Sequence, residues 1–178
     1  MASNDQAGTS GACWLHPHVQ VRASAIQGSG LFAGQPLPAG TTVATLAGRL
    51  VSDEDLHRLM QTATASGQYL DTICIDDNAH LVLAPGQPIH YCNHGCDPNL
   101  WHTDAYTLAA RRDVRADEEL TVDYATQSVT ADFRMPCQCG APACRQVVTG
   151  TDWQLPQWRD RYQGHVVPAV AKRIAAQR

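Results

Sequence analysis

No stretch of this chain approaches the roughly 18 consecutive apolar residues that a membrane-crossing helix needs, so the sequence predicts no membrane span. The first ten residues, Met1 to Ser10, are polar and lack the apolar centre of a secretory signal. Basic residues are scarce as well. Thirteen Lys and Arg stand against 17 Asp and Glu, a net charge of -4, whereas a protein drawn to nucleic acid by phosphate contacts carries a basic stripe. No direct nucleic-acid binding is expected, and a mild acidic excess suits a basic partner. The expected location is intracellular, with the cytoplasm preferred for want of a basic targeting run and the nucleus as the alternative for a eukaryotic chain. No internal repeat or low-complexity tract appears. Hydrophobic content of 44% and charged content of 17% are those of a globular protein, and 178 residues give room for one domain with a real core.

Seven cysteines in an intracellular chain point to metal or free thiols rather than disulfides. Three of them crowd into Cys137-Gln-Cys139-Gly-Ala-Pro-Ala-Cys144, with Gly140 and Pro142 bending the chain between them. That is the density of a zinc knuckle, and a structural zinc site wants four tetrahedral ligands. The fourth thiol is one of Cys96, Cys92, Cys74 or Cys13.

Most of the chain reads as short strands. Val19 and Val21 alternate with polar residues, Gln27 to Gly30 form a turn, and Leu31 to Ala33 resume a strand. Thr41 to Val51 has the Thr, Val and Leu content of a strand pair. Ser52 with the acids Asp53, Glu54 and Asp55 marks a helix start, Leu56, Leu59 and Met60 recur at helical spacing, and Gly67 is its stop. Tyr69 to Ile75 and Ala79 to Leu83 read as a hairpin, followed by strands at Leu100 to His102, Tyr106 to Arg111 and Glu119 to Tyr124. From Thr151 the pattern turns helical, with Gly164 separating two short helices and Val166, Val170 and Ile174 on one face. The sum is a β-rich α+β domain. Between the strands, Tyr91 to Leu100 packs Asn93, His94, Cys96 and Asp97-Pro98-Asn99 into ten residues, and a polar segment with an internal proline reads as a loop held for function.

Four pieces, in order, make the chain resemble the SET-domain protein lysine methyltransferases. Gly28-Ser29-Gly30-Leu31 looks like that family's cofactor turn, and Asn93 to Asn99 is similar to its Asn-His-Ser-Cys-x-Pro-Asn segment. Glu119-Leu-Thr-Val-Asp-Tyr124 looks like its Glu-Leu-Thr-x-Asp-Tyr segment, and Cys137 to Cys144 has its post-SET spacing. The resemblance implies a SET fold, several small sheets around a pseudoknot in which the Asn-His segment threads beneath the Glu-Leu-Thr segment. It divides the chain into a leader at 1–15, a SET domain at 16–130, a post-SET zinc segment at 131–150 and a C-terminal helical extension at 151–178. It implies transfer of a methyl group from S-adenosylmethionine to a lysine of a basic protein, histone by family habit. Gly28, Ser29, Gly30, Tyr69, Asn93, His94 and Tyr124 would contact the cofactor. Tyr124 and Tyr69 would be catalytic, and Cys96 would join Cys137, Cys139 and Cys144 on Zn2+. Two rivals stand beside this reading: a zinc-stabilised cofactor-binding module without turnover, and a methyltransferase acting on a non-lysine acceptor.

The chain departs from the family pattern at four places. Gly95 replaces the usual Ser, His90-Tyr91 the usual Arg-Phe, Gln146 the Gly that often follows Cys-Arg, and Val122 the Phe or Tyr that sets how many methyls are added. The Trp153, Trp158 and Tyr162 group reads first as packing of the terminal helices, and second as a roof over the cofactor or the lysine groove.

Overall fold

A computed structural model describes residues 11–177, so most of the expected leader lies outside the described residues. Residues 11–15 of it do not. Trp14–Leu15 (β1) pairs with Ala44 and Thr45, which makes the end of the predicted leader part of a sheet. Strands β2 (Val19–Ala23), β3 (Ser29–Ala33), β4 (Thr42–Thr45) and β5 (Gly48–Val51) follow. The expected strand pair at 41–51 is a real pair of strands, but the two belong to different sheets. Leu46 donates its N–H to Tyr106 rather than back across a hairpin, and Val43 and Ala44 are both fully buried.

Helix α1 (Asp53–Ser66) begins and ends where its chemistry predicts. The Ser52 hydroxyl accepts from the Asp55 N–H at 3.2 Å, and Gly67 stops the helix at φ 68°. The left-handed turn at Gly67 then needs residues 68–71 to reach the next sheet, so β6 (Thr72–Asp76) starts later than expected. Tyr69 falls in the irregular link, not in a strand. With β7 (Ala79–Leu83), β6 makes the predicted hairpin, and β5 completes the sheet in the order β5-β7-β6.

The strands β8 (Asn93–His94), β9 (Leu100–His102), β10 (Thr107–Ala110) and β11 (Glu119–Val122) build the centre. One sheet runs β1-β4-β10-β9 and another β2-β3-β11-β8. The short β11 serves two partners: Glu119 and Leu120 face Phe32 and Leu31 antiparallel, while Thr121 and Val122 face Asn93 and His94 in parallel. That parallel pair brings the Asn-His segment beside the Glu-Leu-Thr segment, as the expected pseudoknot requires. Leu31, Leu81, Leu100, Leu108 and Leu120 lie in the shared core with at most 2% exposure, each worth about 1.5–3 kcal/mol of burial.

Beyond it, β12 (Arg134–Pro136) and β13 (Val147–Thr149) form a hairpin whose loop is the cysteine knuckle. Helices α2 (Pro156–Tyr162) and α3 (Pro168–Ala175) are separated at Gly164 as predicted. Val166 and Val170 are buried and Ile174 packs on the core. No helix among the described residues is long and apolar enough to cross a membrane.

Candidate active site and metal centre

The parallel β8–β11 pair sets Asn93 beside Glu119 and the 24–29 turn. Asn93 Nδ2 lies 2.8 Å from Glu119 Oε1, 3.1 Å from Ser24 Oγ, 3.0 Å from the Ser29 carbonyl and 3.3 Å from that of Gln27. With the amide nitrogen committed, the Asn93 carbonyl oxygen is left to accept from a ligand. The Ser24 hydroxyl contacts both Glu119 oxygens at 2.8 and 2.9 Å. Glu119 also explains Gly30: a Cβ there would sit 2.3 Å from its Oε1, so the glycine makes room for a carboxylate of the same chain.

His94 is buried and links the two halves of the site. Its Nδ1 accepts from the Tyr124 N–H at 3.2 Å, and its Nε2 lies 3.3 Å from Cys96 Sγ. A backbone N–H can only donate, so the ring proton sits on Nε2 and points at the sulfur. Burial lowers the imidazole pKa to about 4, against the opposing pull of Asp123, and keeps the ring neutral. Tyr124 opens a turn of 3-10 helix, and its hydroxyl donates to the Cys92 carbonyl at 2.9 Å. Burial pushes this phenol well above its usual range, and negative charge at Cys92, Asp71 and Tyr69 adds to the effect. It remains a neutral hydroxyl whose proton is committed and whose lone pairs are available.

Asn93, His94 and Tyr124 line one cavity of about 420 Å3 together with Ile26, Gln27 and Met135 to Gln138, a size common for small-molecule sites. Of the other residues expected at a cofactor, Gly28, Ser29 and Gly30 are not among those lining the cavity, and Tyr69 is 83% exposed. Sequence reasoning missed Ile26, Gln27, Met135, Pro136 and Gln138, which carry no residue-type signal for a ligand.

The four expected cysteines come together. The sulfurs of Cys96, Cys137, Cys139 and Cys144 all lie within 4.8 Å of one another, and Cys96 Sγ is 3.7 Å from Cys137 Sγ. Four thiolates around zinc at about 2.3 Å would stand roughly 3.8 Å apart, so the donor set fits that ion. Backbone N–H groups of Cys96, Arg145 and Gln146 reach Cys139, Cys96 and Cys144 sulfurs at 3.3–3.4 Å, as metal-bound thiolates require. Cys92, Cys74 and Cys13 stay outside this group. Gln146 itself sits at φ 62°, a left-handed position in which a glycine would be unstrained.

Asp123, fully buried, was given no role by sequence reasoning although it lies in the Glu-Leu-Thr-x-Asp-Tyr segment. Arg145, the residue after Cys144, grips it with two bonds of 2.7 Å and also pairs with Asp152 at 2.8 Å. Trp158 and Tyr162 donate to it from α2. The aromatic group at the C-terminus is therefore packing first, with Trp158 and Tyr162 almost wholly enclosed.

Gly95 receives an explanation from the same strand crossing. A Cβ on it would lie 2.7 Å from the Thr121 Oγ1, so the Thr121 side chain occupies the space that a larger residue would need.

Comparison with known proteins agrees with this arrangement. The SET domain family profile matches residues 28–125. Histone-lysine N-methyltransferase ATX2 of Arabidopsis thaliana is 35% identical over 142 residues, 72% of this chain and 13% of that protein. Human histone-lysine N-methyltransferase 2D is 30% identical over 138 residues, 72% of this chain and 2% of that protein. The chain thus spans 13% or less of the length of either relative. The methyltransferase domain of human histone-lysine N-methyltransferase SETMAR superposes with a TM-score of 0.60 at 25% identity, over 75% of this chain and 58% of that one. A profile that spans both Gly28–Gly30 and Tyr124, and a parallel pairing of β8 with β11, lead to one conclusion: the chain belongs to the SET-domain family.

Proposed function

We propose that the chain transfers the methyl group of S-adenosylmethionine to a lysine side chain of a protein, with Zn2+ held by Cys96, Cys137, Cys139 and Cys144. The observation that carries this reading is Tyr124, whose hydroxyl is bonded to the Cys92 carbonyl at the wall of the Asn93–His94 cavity. S-adenosylmethionine supplies an electrophilic methyl on a positively charged sulfur. The Asn93 side-chain oxygen would accept from the cofactor's ammonium, and Ile26, Gln27 and the Met135–Gln138 segment line the cavity that would hold it. Tyr124 and the Cys92 carbonyl present oxygen dipoles where positive charge passes from sulfur to nitrogen, the electrostatic help that an in-line displacement needs. The acceptor lysine must arrive neutral, and its ordinary pKa of about 10.4 falls on burial beside a cation. Tyr69 is assigned to the mouth through which that lysine enters. The division into a SET domain at 16–130, a post-SET segment at 131–150 and a helical extension at 151–178 belongs to the same proposal. The relatives named above are histone-lysine enzymes, which favours a histone-type acceptor and gives a cytoplasmic location no support.

The test uses labelled cofactor, the full chain and a pool of basic proteins. Wild type should label lysine side chains, and Tyr124→Phe should lower kcat on the order of 100-fold while cofactor affinity stays within about threefold. Lys172 is the chain's single lysine, so label on the protein itself is read separately from label on an acceptor. Tight cofactor binding with no transfer to any acceptor would favour the inactive module instead.

A further inference from the structure

The helical segment after the knuckle plays no part in that mechanism, yet α2 sends three side chains from one face into the functional loops. Trp158 donates its indole N–H to Asp123 Oδ2 at 3.0 Å, and Tyr162 donates its hydroxyl to the same oxygen at 2.8 Å. Arg161 donates to the carbonyl of Cys96, the residue that the metal centre takes from the Asn93 loop. Trp158 is 3% exposed and Tyr162 1%, and their rings lie 4.5 Å apart. Asp123 immediately precedes Tyr124. Its carbonyl accepts the Thr126 hydroxyl at 2.6 Å, and the Thr126 carbonyl in turn accepts from Val167 at 3.0 Å, just ahead of α3. The turn that carries Tyr124 is therefore held from the C-terminal side at two points.

We infer that Trp158 and Tyr162 are positioning residues for methyl transfer, acting through Asp123 to fix the Tyr124 hydroxyl against the Cys92 carbonyl. This rests on the function proposed above. Arg145 bonds both oxygens of the Asp123 carboxylate, and the Ala125 N–H donates to Oδ1 at 3.1 Å. Two neutral donors from α2 converge on Oδ2 as well, and this fixes the tilt of the carboxylate plane and of the backbone that follows. Methyl transfer is sensitive to such a tilt because nucleophile, methyl and leaving sulfur must lie in line, and a misplacement of about 1 Å can lower a rate on the order of 100-fold. Cofactor binding depends on Asn93 and the cavity lining, to which α2 contributes no residue. A role in alignment thus lowers kcat, whereas simple packing lowers only stability.

Trp158→Phe, Tyr162→Phe and the double variant of the full chain separate these. Each is assayed with labelled cofactor at a temperature where its melting curve shows it fully folded, with metal content checked. Each single variant should lower kcat about threefold and the double variant about 10-fold, with the cofactor KM within about twofold of wild type. A folded double variant with wild-type kcat would overturn the inference, as would a loss confined to KM. If the double variant does not fold, Tyr162→Phe decides alone, because it removes one oxygen atom and leaves the ring. An inactive wild type refutes the proposed function and this inference with it; an active wild type with unchanged variants refutes only this inference.

Discussion

Two tyrosines belong to the proposed reaction centre, and their surroundings are opposite. The Tyr124 hydroxyl is bonded to the Cys92 carbonyl, its N–H to His94, and the preceding Asp123 to Arg145, Trp158 and Tyr162. Tyr69 stands in an irregular link and is 83% exposed. The nearest fixed feature along its link is the Asp71–His90 pair, at 2.8 Å and only partly enclosed, with His90 Nε2 donating to the Ala84 carbonyl. The difference teaches where organisation is built in. In the proposed reaction, the side assigned to the methyl donor is already organised by the chain's own bonds, which would lower the reorganisation needed at the moment of reaction. The side assigned to the lysine would be left for the substrate to complete, and the ordering of those groups would then oppose binding.

The largest effect expected from breaking the organised side comes from Asp123→Ala. The carboxylate is fully buried and Arg145 is largely enclosed with it, so removal leaves a buried guanidinium with Asp152 as its remaining partner. Loss of one member of a buried ion pair costs about 3–5 kcal/mol. Urea denaturation should show a drop of that size, with transfer lost even where the variant is folded. The matching change on the open side, Asp71→Ala, should cost about 1 kcal/mol. Equal losses at the two positions would erase the distinction.

Much of this site was legible in the sequence because its residue types are chemically rare in combination. Three cysteines in eight residues needed a fourth, which the residues left open among Cys96, Cys92, Cys74 and Cys13 and which the family resemblance placed at Cys96. The capped helix at 53–66 was legible for a similar reason, since Ser52 and Gly67 act locally. What escaped were the long-range choices. Nothing in Thr42–Val51 says that β4 will join β10 and that β5 will join β7, because both halves have the same strand-like composition. Asp123 escaped because its partners lie 22, 35 and 39 residues away. Gly30 was read as the end of a turn, whereas it lies in β3, and composition did not reveal that Glu119 fills its space.

A smaller break is expected at Gly95, where the loop crosses β11. Gly95→Ala places a methyl group 2.7 Å from Thr121 Oγ1 and 3.1 Å from its Cβ, in a position fully enclosed by the strand pair. Overpacking of this kind costs typically about 1–3 kcal/mol. Thr121→Ala in the same chain should restore most of the loss, since it removes the atoms in conflict. The relevant measurement is the coupling in a double-mutant cycle by urea denaturation. Additive losses would mean that the β8–β11 crossing tolerates a side chain at 95 without help from Thr121.

The smallest effect on the fold, and the sharpest question for the comparison, is Tyr69→Ala. A residue this exposed, without a strand partner, should change stability by no more than about 0.5 kcal/mol. Cofactor affinity should be unchanged, because the cavity wall does not include it. If Tyr69 meets the acceptor at the mouth, the acceptor KM should rise several-fold, on the order of 1 kcal/mol of lost aromatic contact with a cationic chain, while kcat falls much less than in Tyr124→Phe. A kcat loss as deep as that of Tyr124→Phe, with acceptor KM unchanged, would mean that Tyr69 swings in to touch the reacting atoms once substrate is bound. The open side would then be as organised in the working complex as the buried one, and substrate itself would supply the order that α2 and Arg145 supply to Tyr124.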